Sequence, residues 1–207
     1  MAAGRTNRGV HARGQVAHFD TAAFRPSSAW VRGVNAFLPD SIAVLWSAEV
    51  AAEFHARHSA LARTYRYELL NRPVRPALAA GRIGWHHAPL DVEAMREGAR
   101  ALVGEHDFSA FRAAECQART PVRTVHAVEI SRAGERIDLL IKANAFLHHM
   151  VRNLVGSLVY VGCGRQPPSW IAELLASRDR TRAAPTFGAE GLYLEKVDYD
   201  ASWRLPA

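Results

Sequence analysis

The sequence of 207 residues is poor in cysteine and contains no long apolar run. Its two cysteines, Cys116 and Cys163, lie far apart and form no CxxC pair, so neither a disulfide framework nor a cysteine zinc site is indicated. No window holds about 18 consecutive apolar residues, which excludes a typical membrane-spanning helix. Arg5, Arg8 and Arg13 follow one another with no apolar segment between them, unlike a signal peptide. We therefore expect a cytoplasmic protein.

Lysine is also scarce, because all of the 26 basic residues except Lys142 and Lys196 are arginines. This excess can reflect a GC-rich genome, or it can serve phosphate binding, since a guanidinium holds two oxygens at once. The formal net charge is +6, and it is concentrated in residues 1–38 (+4) and 54–87 (+5), whereas residues 88–110 carry −3. Two basic blocks beside one cleft would bind anions, although each block alone also fits a solvated surface.

The length suits one domain or two small ones, and apolar periodicity alternates between strand and helix patterns. The patterns predict strands at 15–19, 42–46, 64–70, 122–130, 136–142 and 192–199, and helices at 28–38, 92–102, 146–161 and 170–176. Asp91 has the position of an N-cap, and Gly134 the position of a hairpin turn. Together these elements predict an α+β fold with a largely antiparallel sheet and helices on one face.

The least generic segment is GRTNRGVHARGQ at residues 4–15. Two glycines enclose a dense polar cluster, and glycines at such spacing permit a tight loop whose backbone approaches a ligand. Arg5, Arg8, His11 and Arg13 would make this loop strongly cationic. The segment therefore predicts a ligand-binding loop, and an ordinary surface loop is the alternative.

Several segments in order along the chain share the motifs of one family. They are GRTNRGVHA at 4–12, FHAR at 54–57 with RTYRY at 63–67, DFSAFR at 107–112, KANAFLHHMVRN at 142–153 and AEGLYL at 189–194. Together they resemble tRNA pseudouridine synthase A over essentially the whole chain. The resemblance implies the pseudouridine synthase fold with a central active-site cleft. It further implies two halves that form one catalytic unit. Residues 1–60 are the remainder of the N-terminal half and carry the catalytic loop, and residues 61–207 are the C-terminal half.

The sequence departs from the family pattern in three places. Asn7 stands where the family motif has its catalytic Asp, and His58 stands where Phe is usual. A strand and a helix precede the motif in the family, whereas this chain begins three residues ahead of it. We therefore expect the first β-α unit of the family to be missing from this chain.

The resemblance implies isomerisation of uridine to pseudouridine in the anticodon stem-loop of tRNA, at about positions 38 to 40, by a homodimer without cofactor or metal. In the family the Asp carboxylate attacks or assists at the ribose or the uracil ring. A carboxamide does neither readily, so we expect Asn7 to impair catalysis. A tRNA-binding homologue that has lost catalysis, and a truncated fragment of the enzyme, are the alternatives.

The resemblance also implies roles for four further residues. Arg5 holds the target base out of the stack, Tyr65 stacks on the flipped uracil, and Leu192 closes the pocket against the base. Arg152 pairs with the catalytic Asp in the family, and here it lies at the edge of the apolar stripe of its predicted helix. From the residues alone, a surface arginine, a core tyrosine and a core leucine would look the same. We expect no metal site, since adjacent histidines on a helix point apart.

Overall fold

In a computed structural model, residues 1–206 form one seven-stranded sheet and four α-helices. The strands are β1 (His11–Ala12), β2 (Ala60–Asn71), β3 (Gly84–His86), β4 (Gly104–Asp107), β5 (Val122–Ala133), β6 (Arg136–Ala143) and β7 (Leu192–Tyr199). The helices are α1 (Ser27–Asn35), α2 (Val92–Arg100), α3 (Met150–Gly162) and α4 (Trp170–Ser177). The strand order is β1-β7-β2-β6-β5-β4, with β3 also paired to β2. Only β1 with β7 and β2 with β3 run parallel, so the predicted α+β class is confirmed.

The central strand β2 has two chemically different faces. Tyr67 and Leu69 are fully buried in the main core, as the alternating pattern predicts for one side of a strand. Arg66 and Glu68 lie on the opposite side, where they meet other charged residues. The core continues into α2 and α3, whose apolar residues include the fully buried Leu154. None of the helices within residues 1–206 is long and apolar enough to span a membrane.

Two local predictions hold at the level of single residues. The carboxylate of Asp91 accepts hydrogen bonds from the backbone N–H groups of Glu93 and Ala94, at 2.9 and 3.1 Å, so it is the N-cap of α2. Gly134 adopts a φ of 60° between β5 and β6, the left-handed conformation that a tight hairpin turn requires.

Two predicted strands are wrong, and several predicted ends are displaced, among them the start of β2, the end of α1 and the start of the third helix. Residues 15–19 form no strand, because their only ladder partner is a single bridge between Ala17 and Ala2. Residues 42–46 form none either, since the side chain of Asn35 takes both backbone hydrogen bonds of Val44. The third helix begins at Met150 instead of residue 146, because the backbone of His149 is left-handed, with a φ of 60°.

The end of β7 carries a half-buried tyrosine whose ionisation should lower stability at alkaline pH. Tyr199 donates a hydrogen bond to the carbonyl of Ala56 at 2.6 Å, and burial raises the pKa of this phenol to about 12. A raised pKa stabilises the fold below the ordinary value of 10.0, and this stability is lost as the pH rises toward 12. We therefore expect the Tm advantage of the unchanged protein over Tyr199→Phe to shrink above pH 10. Parallel Tm curves for the two proteins would contradict this.

Candidate active site

The motif loop, residues 4–10, is a tight turn that leads into β1. The backbone N–H of Val10 donates to the carbonyl of Asn7 at 3.0 Å, and Gly9 adopts a φ of 80°. A β-carbon on Gly9 would lie 3.3 Å from that of Ala189, so the turn packs closely on the segment that precedes β7. The predicted tight loop is therefore present, and β1 then pairs in parallel with β7.

Tyr65 lies where the motif loop meets the sheet. Tyr65 is opposite Leu194 in the pairing of β2 with β7, and its ring meets Phe146 edge-on at 5.0 Å. Gly4 lies against the same tyrosine, since a β-carbon there would be 3.7 Å from the phenol oxygen. Burial raises the pKa of Tyr65, so the hydroxyl stays protonated near neutral pH.

Arg152 in the first turns of α3 is bound to the chain that approaches β7. Its Nε donates to the carbonyl of Phe187 at 2.7 Å, and the N–H of Phe187 donates to the carbonyl of Arg152 at 3.3 Å. The two Nη groups make no hydrogen bond or ion pair within residues 1–206. The guanidinium is therefore fixed through Nε, and its two Nη groups keep four N–H donors for a ligand.

Leu192 is buried in the main core at the start of β7, opposite Tyr67. The phenol of Tyr67 donates to the carbonyl of Gly188 at 3.0 Å and so fixes the same approach segment. Burial raises the pKa of Tyr67, the charge of Glu190 raises it further, and Arg152 opposes the shift. Leu192 therefore follows a segment that hydrogen bonds hold in place from two sides.

The structure brings four of the five predicted residues to one region. Gly4 places the loop that carries Asn7 next to Tyr65, and Gly9 places it next to the Phe187–Gly191 segment. Arg152 binds this segment, and Leu192 follows it directly in sequence. Asn7 is half-buried, and within residues 1–206 its amide side chain forms no hydrogen bond, either with Arg152 or with another residue. The fifth residue, Arg5, extends from the same loop and is exposed.

The histidine pair before α3 differs from the sequence prediction. The ring centroids of His148 and His149 are 4.0 Å apart and the ring planes are tilted by 30°. Both residues precede the helix instead of lying on it, and the backbone of His149 is left-handed. Burial lowers the pKa of His149, and the charges of His148 and Arg152 lower it further. Among the described residues, no group of three His, Cys, Asp or Glu side chains is placed to hold a metal ion.

Comparison of the sequence with known proteins shows to which family the chain belongs. Residues 99–200 match a family model described as tRNA pseudouridine synthase. The tRNA pseudouridine synthase A of Thiobacillus denitrificans is 60% identical over 205 residues, which cover 99% of this chain and 79% of the relative. The chain belongs to the tRNA pseudouridine synthase A family.

Two further members of the tRNA pseudouridine synthase A family give the same result. The proteins of that name from Aromatoleum aromaticum and Nitrosomonas eutropha are 60% and 57% identical to this chain. The matches cover 99% and 100% of the chain, and 77% and 74% of the relatives. The family resemblance of the sequence motifs is thereby confirmed. The family model itself contains Arg152 and Leu192, whereas the motif loop lies outside its matched residues.

One polar residue next to Arg152 was missed by the sequence analysis. Asn153 is fully buried, and its Nδ2 donates to the carbonyl of Phe111 at 2.8 Å. Its Oδ1 accepts from the hydroxyl of Thr186 at 2.7 Å and from Nη2 of Arg180 at 3.1 Å. This amide ties α3 to the chain before Phe187. A lone Asn inside an apolar helix stripe is the signal that could have found it.

Gly14 follows the motif loop at a point of close backbone approach. A β-carbon there would lie 2.4 Å from the carbonyl oxygen of Glu195, so Gly14→Ala must push β1 away from β7. We expect the variant to lose about 1–3 kcal/mol of unfolding free energy in urea titrations. Gly33→Ala in exposed α1 is the matched control, because no atom of residues 1–206 outside the local helix would lie within 4 Å of a β-carbon there. The control is expected to gain about 0.5–1 kcal/mol, and equal losses in both variants would contradict the close approach.

Proposed function

We propose that this chain binds tRNA and that its site is built to convert uridine to pseudouridine in the anticodon stem-loop, at about positions 38 to 40. In this isomerisation the C1′–N1 bond breaks, C1′ bonds to C5, the C5 proton leaves and N1 gains a proton. The observation that carries the proposal is the contact of the motif loop with both Tyr65 and the segment bound by Arg152. The membership of the family supports the same chemistry.

The properties of the site residues suit a flipped nucleotide. Arg5 is exposed and makes no ion pair within residues 1–206, so its charge is free to bind a phosphate or to fill the gap left by the base. The half-buried ring of Tyr65 is the group we assign to stacking on uracil, and buried Leu192 lies in the neighbouring strand β7, two residues before Leu194, which is opposite Tyr65. The two free Nη groups of Arg152 are assigned to the anionic partner of the reaction.

Asn7 determines how fast this chemistry runs. A carboxylate at this position can act as nucleophile or base, and an amide of nearly the same shape has no charge with which to do either. We therefore propose that the chain binds tRNA and turns over very slowly. A tRNA-binding protein without catalysis is the second candidate function, and Asn7 is the observation that favours it.

We also propose that the protein acts as a homodimer. Helix α1 contributes no buried residue, although Trp30, Val31 and Val34 give it an apolar side. Nearby, Phe24 and Phe37 are 95% and 91% exposed. Monomeric proteins seldom expose so many large apolar side chains together, and a second copy would bury them. The mass of the protein in solution, measured by sedimentation, tests this, and a Phe37→Ser variant should shift the equilibrium toward monomer.

Binding of tRNA is tested by titration at several salt concentrations. We expect log K to fall linearly with log salt, and Arg5→Ala to weaken binding by about tenfold with a slope reduced by about one. Arg100→Ala is the matched control, because Arg100 is exposed, is unpaired within residues 1–206 and lies in the acidic block of the chain. No binding at low salt, or equal effects of the two variants, would contradict the proposal.

A further inference from the structure

The outer face of the sheet carries a closed ring of six alternating charges. Glu68, whose side chain is only 8% exposed, accepts a hydrogen bond from Arg13 at 2.7 Å and forms an ion pair with Arg136 at 3.0 Å. Four further ion pairs close the ring, and their N···O distances are 3.0 Å for Arg13–Glu195, 3.5 Å for Arg66–Glu195, 3.8 Å for Arg66–Asp138 and 3.0 Å for Arg136–Asp138. Three arginines and three carboxylates balance. A buried carboxylate such as Glu68 depends on these partners, because an unpaired buried charge is costly.

Five of the six residues belong to the long strands β2, β6 and β7, and only Arg13 comes from the motif region. Arg13 follows β1, a strand of two residues that is too short to hold its own position by backbone pairing. Its N–H donates to the carbonyl of Leu194 at 2.8 Å, and its side chain bridges Glu68 on β2 and Glu195 on β7. Arg13 is therefore the link between the motif loop and the charged face of the sheet.

A second set of contacts fixes His11 and Arg13 against Tyr193. The guanidinium of Arg13 lies 4.2 Å from the ring centre of Tyr193, and the ring of His11 stacks on that tyrosine at 4.8 Å. His11 Nε2 is 2.9 Å from the carbonyl of Gly81. Burial alone would lower the pKa of Arg13, but the hydrogen bonds and charges of Glu68 and Glu195 raise it overall. The side chain stays charged in this environment.

We propose that Arg13 is the positioning residue of the motif loop: its guanidinium, held by Glu68 and Glu195, fixes β1 against β7 and so sets where Asn7 and Arg5 meet the nucleotide. The expected effect of Arg13 on catalysis rests on the proposed function. The position of the loop itself is independent of any reaction. Arg13 touches no reacting atom, and it acts through the loop that precedes it.

Hydrogen–deuterium exchange tests the positioning directly and needs no turnover. In Arg13→Ala we expect the amides of residues 4–14 to exchange about tenfold faster, while those of β6 keep their rates. Arg136→Ala is the matched control, because Arg136 binds the same Glu68 oxygen and its side chain is 44% exposed against 46% for Arg13. It removes a ring member without touching β1. Equal exchange of residues 4–14 in the two variants would overturn the proposal, as would faster exchange throughout the sheet.

The catalytic consequence is measured with Asn7→Asp as the parent protein. Adding Arg13→Ala should lower kcat by on the order of 100-fold with KM nearly unchanged, because a displaced loop misaligns the reacting group. Arg13→Lys should recover part of kcat, since an ammonium can keep one of the two ion pairs, and Arg136→Ala should leave kcat within about threefold. An equal fall in kcat for Arg136→Ala would overturn the positioning role. If the Asn7→Asp protein itself shows no turnover, the proposed function fails, and the exchange rates still decide whether Arg13 holds the loop.

Discussion

Replacing Asn7 by Asp is expected to raise the rate of pseudouridine formation by three or more powers of ten. The amide of Asn7 is half-buried in the loop that contacts Tyr65, and it forms no hydrogen bond within residues 1–206 that the substitution would break. The change therefore adds a charge at nearly constant shape. A carboxylate there can attack or abstract a proton, which the amide cannot. Release of tritium from 5-tritiated uridine in tRNA, measured with protein in excess, gives the rate directly.

Asn7→Ala is the matched control for this experiment. It removes the amide without adding a charge, so we expect its rate to stay as low as that of the unchanged protein. The affinity for tRNA should change by less than about threefold across the three proteins, because positive side chains such as Arg5 carry most of the phosphate binding. Equal rates for the Asn7 protein and Asn7→Asp would show that position 7 supplies no reacting group.

The second large effect is expected at Arg152, and only when position 7 is acidic. In the Asn7→Asp protein, Arg152→Ala should lower the single-turnover rate by about 10²–10³-fold, because the two Nη groups of the guanidinium supply preorganised donors to the reacting groups. The substitution also removes the Nε hydrogen bond to Phe187 that holds the approach to β7. A cycle of the two single variants and the double variant measures how strongly positions 7 and 152 are coupled.

Arg165→Ala provides the control for Arg152→Ala. Arg165 follows α3 and lies over the ring of Tyr160 at 5.0 Å, away from the motif loop, so its loss should leave the rate within about threefold. Arg152→Lys separates charge from geometry, since lysine keeps the charge and loses the planar fork. If Arg152→Ala leaves the rate of the Asn7→Asp protein unchanged, the assignment of Arg152 to the site is wrong.

The long strands and helices of this fold were predictable from sequence because their apolar periodicity extends over many residues. β6 alternates strictly between buried and more exposed positions, and β2, of 12 residues, pairs with both β6 and β7, of 8 residues each. β1, β3 and β4 have two to four residues, including Gly84, Gly104 and several histidines, and they exist only because a neighbouring strand accepts them. Residues 15–19 have the apolar pattern of a strand but no neighbouring strand to pair with, so the strand predicted from the pattern is absent.

The motifs predict which residues form the candidate site, but they do not predict the contacts of those residues. The motifs identify Asn7, Tyr65 and Arg152 by type and order along the chain. No local pattern indicates that the Nε of Arg152 binds Phe187, or that Arg13 reaches Glu68 across 55 positions of sequence. These contacts follow from the register of β1, β2 and β7, which is set by tertiary packing.

Mapping pseudouridine in tRNA after incubation with the Asn7→Asp protein tests the proposed activity most directly. We expect new pseudouridine at anticodon stem-loop uridines, at about positions 38 to 40, and none elsewhere in the tRNA. The unchanged protein should give the same positions at a far lower level. A folded Asn7→Asp protein that binds tRNA and leaves every uridine unmodified would contradict the central claim that this site is built for pseudouridine formation.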